Sequence, residues 1–231
     1  MVFDFDFQLR LILQVLLYFF GAYIIYKGRQ TKDIKIKQTY YYLLSLFFFF
    51  TGANFTLNEI QLYFIAELGV SFFPSIVPPG STMFLVNPVD SDIFLQLLFL
   101  LSTVPMMYAV EKYFLQVKRH IFPWLGTIGI VFLIVVIFWH ELVIINIAIL
   151  YGWLCFGLIT LVFIFLYLYI AYKLPGNSRQ TALLMGIGFI VFVTGVILSS
   201  QSGILSNSEI IGHLINIGGA LLIFVGIAKM E

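Results

Sequence analysis

Seven long runs of apolar residues, each with few charges inside it, divide the chain at about 7–26, 39–64, 92–112, 121–139, 143–172, 182–201 and 208–228. A helix rises about 1.5 Å per residue and the hydrocarbon core of a bilayer is roughly 30 Å thick, so about 20 apolar residues make one crossing. The pattern predicts seven membrane-spanning helices. Beyond short turns, only residues 27–38 and 67–91 form sizeable connections. The expectation is an all-α integral membrane protein, a single seven-helix bundle over residues 1–231. Any water-soluble catalytic or signalling module would then come from another chain.

Composition agrees with the pattern. The 231 residues are 61% hydrophobic and 10% charged, with 26 Phe and a mean hydropathy of +1.05, against roughly 45–50% apolar content in soluble domains. The opening MVFDFDFQLR carries two acids before its first base and lacks an A-x-A-like cleavage site, so it reads as a retained first helix. Cys155 is the sole cysteine and falls inside the fifth run. An intramolecular disulfide is thereby excluded, and the thiol reads as a small hydrophobe.

Charge orients the bundle. Lys and Arg in short loops mark the cytoplasmic side of a membrane protein. Eleven of the twelve bases fall on one side: Lys27, Arg29, Lys32, Lys35 and Lys37 after helix 1, Lys112, Lys118 and Arg119 after helix 3, Lys173 and Arg179 after helix 5, and Lys229 after helix 7. The opposite loops hold acids such as Asp4, Asp6, Glu67 and Glu209 and no base. The N-terminus is expected outside and the C-terminus in the cytoplasm, with the plasma membrane as the expected location. The first basic loop reads as topogenic charge, with contact to anionic headgroups as the competing reading. The proline-rich connection SFFPSIVPPGSTMFLVNPVDSD is expected to be a non-helical lid.

Polar residues inside the apolar runs are the candidate chemistry. On helix 2, Thr51, Asn54, Asn58 and Gln61 recur at i, i+3, i+7 and i+10 and share one face. Counting rise from the basic ends puts Asn54 at roughly 21 Å, Glu59 at roughly 28 Å, Arg10 at roughly 25 Å, Gln96 at roughly 24 Å and His213 at roughly 22 Å. Glu209, His213 and Asn216 share a face of helix 7. Ionisable groups inside a membrane are costly and point to function. Arg10, Asn54, Asn58, Glu59, Gln96, Glu209, His213 and Asn216 are therefore the candidate ligand-binding or proton-linked residues, with an Arg10–Glu59 pair expected across adjacent helices. The competing reading has Arg10 reach back to Asp6 at i−4 while the amides tie helices together.

Other positions carry weaker expectations. Tyr108, Glu111 and Lys112 at the inner end of helix 3 are a candidate gate or partner contact, against an interfacial Glu111–Lys112 ion pair. His120 reads as a surface residue, and Tyr167, Tyr169 and Tyr172 as an interfacial belt. Gly188 and Gly195 on helix 6 and Gly212, Gly219 and Gly226 on helix 7 repeat every seven residues, a spacing that keeps small residues on one packing seam. A homo-oligomer seam is the competing use. His140 and His213 have no spacing that brings them together, so neither a metal nor a haem site is expected.

Helix 7 reads EIIGHLINIGGALLIFVGIAKME, and its one lysine, Lys229, stands at the basic end. Seven helices with the N-terminus outside resemble the topology of microbial rhodopsins, whose retinal-binding lysine lies midway along the last helix. With no such lysine here the resemblance is architectural, and no retinal or other cofactor is expected. SWEET-type sugar transporters have a similar count of helices with prolines in both triplets, whereas helices 1, 2, 5, 6 and 7 here contain none.

These features suggest a sensory or binding membrane module with an outward polar pocket for a small ligand, lipid or proton, acting through a cytoplasmic or membrane partner. A proton or small-solute transporter and a structural subunit of a membrane complex are the alternatives. An enzyme ranks last, because nucleophile–base and metal arrangements are missing from the pattern. The lipid bilayer is the expected surrounding, and no nucleic acid is expected as a partner.

Overall fold

The computed structural model describes residues 5–31, 35–64, 68–69, 90–113, 120–138, 142–199 and 208–229. It is all-helical within them: α1 (Phe5–Gln30), α2 (Lys35–Tyr63), α3 (Asp90–Tyr113), α4 (Ile121–Phe138), α5 (Leu142–Lys173), α6 (Gly176–Ser199) and α7 (Ser208–Ala228). All seven are long and apolar enough to cross a membrane. Large apolar side chains such as Phe5, Phe138, Phe165 and Tyr172 stand exposed on the helices, as a lipid-facing surface requires. The proline-rich connection, from residue 70 to residue 89, lies outside the described residues, as do His140 and Glu141.

Helix α6 begins at Gly176 and not at residue 182. Its first turns, GNSRQT, are polar and add nothing to hydropathy, although nothing in them opposes helical backbone. Gly176 follows Pro175 and takes a φ of 65°, a left-handed conformation that glycine adopts without penalty and that turns the chain out of α5.

The chain divides into two compact units, Met1–Ile24 with Thr160–Glu231, and Ile25–Ile159. In the first unit α7 packs between α1 and α6. Phe20 of α1 stacks on Phe224 of α7 at 4.1 Å between ring centroids, and Tyr23 meets the same ring edge-on at 5.0 Å. Helices α6 and α7 run antiparallel at close range: a Cβ on Gly188 would fall 2.8 Å from the Ile223 nitrogen, one on Gly195 2.6 Å from the Asn216 nitrogen, and one on Gly226 2.8 Å from Met185 Cγ. Bare Cα atoms therefore set the separation of this pair, as small residues do where lipid supplies no hydrophobic drive. On the far side of α6, Phe189 stacks on Phe163 of α5 at 5.5 Å.

Tyr167 does not join an interfacial belt. It is 1% exposed and lies against Phe189, whereas Tyr169 and Tyr172 are 57% and 81% exposed. The helical rotation between residues 167 and 169 turns the first ring onto α6 and the second away from it. Lys173 Nζ sits 5.8 and 5.7 Å from the Tyr169 and Tyr172 ring centroids, so the two exposed rings and the cation gather at the basic end of α5.

In the second unit a core of Ile93 and Leu100 from α3, Leu133 and Val136 from α4, and Ile145, Ala148 and Cys155 from α5 holds three helices together. Gly129 lets α4 approach Leu100 of α3 and Tyr151 of α5. The Tyr151 hydroxyl donates to the Leu125 carbonyl at 3.2 Å. Helix α2 is tied to α3 by a hydrogen bond from the Asn54 side chain.

Candidate functional site

In the first unit the polar residues of α1 and α7 meet at Asp6 and His213. Asp6, Arg10 and Gln14 follow one another at i, i+4 and i+8 along α1, so 3.6 residues per turn keep them on one side of the helix. Across from Asp6 stands His213 of α7, with Glu209 one turn before it on the same helix. The Arg10 guanidinium lies 3.0 Å from Asp6 Oδ2, and His213 Nε2 lies 3.7 Å from Asp6 Oδ1. Asp6 thus joins the arginine and the imidazole. Its place in the first turn of α1 also sets its charge at the positive end of the helix dipole. The side chains are 7% exposed at Asp6, 9% at His213 and 21% at Arg10.

Asn216 lies about one turn beyond His213 along α7. It is 0% exposed, and among the described residues neither amide atom has a hydrogen-bond partner. Its carboxamide turns towards α6, where the missing side chain of Gly195 makes room for Oδ1. Most buried polar atoms in folded proteins are bonded, and one that is not calls for a partner such as water or a ligand.

The second unit holds a separate polar set. Asn54 Nδ2 donates to the Leu95 carbonyl at 2.6 Å, one residue from Gln96. Gln96 is 6% exposed, its Oε1 lies over Gly152 of α5, and neither of its amide atoms is hydrogen-bonded among the described residues. Thr51 and Gln61 are buried on the same side of α2, while Asn58 and Glu59 are partly buried. An Arg10–Glu59 pair would join residues of different units. The ion pair described for Arg10 lies within its own helix, to Asp6.

At the basic end of α3, Tyr108, Glu111, Lys112 and His120 form one contact group. Glu111 is 2% exposed. Its Oε1 accepts the Phe122 backbone N–H at 3.0 Å, and its Oε2 lies 3.3 Å from His120 Nδ1. Lys112 instead reaches the Tyr108 hydroxyl at 2.8 Å. His120, its side chain 29% exposed, is held between Glu111 and the Tyr108 ring at 5.0 Å, not left on the surface. A carboxylate at the first turn of α4 satisfies a backbone donor that helix geometry leaves over and meets the positive end of the dipole. Glu111→Ala is expected to cost about 1–2 kcal/mol, the usual value of a helix cap, while Glu111→Gln, which keeps the acceptor, recovers about half. Amide hydrogen exchange confined to the first turn of α4 measures it; unchanged exchange there would remove the cap.

Sequence reasoning passed over Gln14 and gave Asp6 only a supporting part. Their spacing around Arg10, four residues to each side, was the available signal. Among the described residues no three His, Cys, Asp or Glu side chains gather to hold a metal ion. Seven apolar helices with buried polar rows define a multi-pass helical membrane protein. No protein-family model, no curated protein and no solved structure matches the chain, so the functional reading rests on its own residues.

Proposed function

We propose that the chain is a membrane binding or sensory module whose site is the polar group that runs from Asp6 of α1 and His213 of α7 to Asn216 against α6, open towards the outer side of the plasma membrane and read by a separate partner protein. The observation that carries this reading is the fully buried Asn216 amide without a protein hydrogen-bond partner among the described residues, on the helix that brings His213 to Asp6. Asp6 and Glu209 bring two carboxylates against the single guanidinium of Arg10. That balance suits a proton or a small ligand that is cationic or rich in hydrogen-bond donors, and it disfavours an anion. The amide of Asn216 would supply its NH2 group as donor and its carbonyl oxygen as acceptor to such a ligand.

Native mass spectrometry of protein gently extracted from its own membrane tests the reading. A small adduct on the wild type that Asn216→Ala and His213→Ala lose supports it. The same adduct should raise thermal stability, by about 2.7 kcal/mol at a hundredfold excess over its dissociation constant. An adduct carried equally by all three proteins places the ligand elsewhere. If none carries one and wild type and His213→Gln share one stability profile across pH, neither ligand nor proton is bound here.

A further inference from the structure

A second site lies in the other unit and does not depend on that reading. Where the last turns of α1 meet the first turns of α2, a cleft of about 360 Å³ opens between the helices, lined by Ile25, Arg29, Thr39, Tyr42, Leu43 and Leu46. Its volume falls in the usual range of ligand pockets, roughly 300–1,000 Å³. Gly28 makes the junction close: a Cβ there would stand 3.1 Å from both Tyr41 Cβ and Tyr42 Cε1, so the Tyr42 ring lies against the last turn of α1, beside Arg29.

The chemistry of the cleft changes with depth. Arg29 and Thr39 stand towards the helix ends. Ile25 lies about 6 Å deeper along α1, and Leu46 about 10 Å deeper than Thr39 along α2. The Arg29 guanidinium is exposed and has no ion-pair or hydrogen-bond partner among the described residues. The Tyr42 hydroxyl accepts from Gln38 Nε2 at 3.1 Å, which leaves its own proton to donate. Of the other lining hydroxyls, that of Ser45 donates to the Tyr42 carbonyl at 2.7 Å. A cation and a phenol proton at the rim with an aliphatic wall beneath them match a phosphate joined to acyl chains.

We propose that this cleft is a binding site for an anionic glycerophospholipid. Arg29 takes the phosphate through its planar fork, for which guanidinium is better suited than ammonium. Tyr42 donates to a phosphate or glycerol oxygen. The upper part of one acyl chain lies along Ile25, Leu43 and Leu46. The other bases of the segment, Lys27, Lys32, Lys35 and Lys37, draw the same lipids to this end of the bundle by charge alone. The apolar wall favours a lipid over a free phosphate.

The test is native mass spectrometry of the purified full chain titrated with phosphatidylglycerol or with phosphatidylcholine of the same acyl chains. Wild type should retain phosphatidylglycerol preferentially, and Arg29→Gln should lose about fivefold of that preference, the factor that about 1 kcal/mol per interfacial base corresponds to. Arg29→Lys should fall between them, and Leu43→Trp, which fills the wall, should lower retention of both lipids. Because Arg29 is exposed, its variants should melt with the wild type. Lys37→Gln, outside the cleft lining, separates a built site from general charge: an equal loss there overturns the proposal. Equal retention by wild type and Arg29→Gln overturns it as well. Displacement of the lipid by inorganic phosphate, or full retention in Leu43→Trp, assigns the site to a free anion and overturns the lipid.

Discussion

Gly219→Ala is expected to destabilise the protein by about 2–3 kcal/mol, the upper part of the range for overpacking, while Gly218→Ala one residue away leaves it unchanged or slightly more stable. A Cβ on Gly219 would meet the backbone nitrogen of Phe192, with the Phe192 Cα at 2.6 Å and its Cβ at 2.8 Å. These are backbone atoms of α6 and the stem of a side chain, so no rotamer change relieves the overlap. The helices must separate, and the close approaches at Gly188, Gly195 and Gly226 loosen with them. A Cβ on Gly218 meets nothing within 4 Å, so there alanine brings only its better helix propensity, up to about 1 kcal/mol. Loss of helical circular dichroism on heating supplies the readout. At about 2–4 °C per kcal/mol for a chain of this size, Gly219→Ala should melt about 5–10 °C below wild type. Coincident melting of the two variants would mean that α6 and α7 are not held at backbone contact.

That seam shows what kind of information the sequence carries plainly. Glycines seven apart on neighbouring apolar runs state a face and a periodicity, and the seven helices follow from run length alone. Polar interiors were legible as positions and less so as partners. Depth counting placed Arg10, Asn54, Gln96 and His213 at similar heights, but height does not say which helix faces which. Arg10 meets Asp6 because both lie on one face of α1, an arrangement visible in their spacing, and Gln14 went unnoticed because a single amide in a long apolar helix resembles ordinary helix-to-helix glue. The bond from Phe122 to Glu111 was harder still. It depends on the start of α4 lying beside the end of α3, and nothing in the composition of the basic segment announces that His120 will meet Glu111.

The largest electrostatic effect is expected at Asp6. Asp6→Ala should cost about 3–5 kcal/mol, the usual result of removing one partner from a buried ion pair, because it leaves the Arg10 charge in a largely desolvated row and takes the nearby carboxylate from His213. Arg10→Ala should cost less, since Asp6 keeps the imidazole at 3.7 Å and its place in the first turn of α1. The double variant removes both charges together and strands neither. Its cost should therefore fall short of the sum of the single costs by roughly 1–3 kcal/mol, the coupling typical of residues in one network. Arg10→Lys is the diagnostic companion: it keeps the charge four residues from Asp6 but loses the guanidinium fork, so it should retain part of the stability that alanine loses. Unfolding of all four variants followed by circular dichroism gives the cycle. Additive single costs would show that Arg10 and Asp6 do not sense each other, and the polar row would then be two independent side chains. A coupling of the expected size makes Asp6 the centre of the row, a carboxylate that bears on both the arginine of α1 and the histidine of α7.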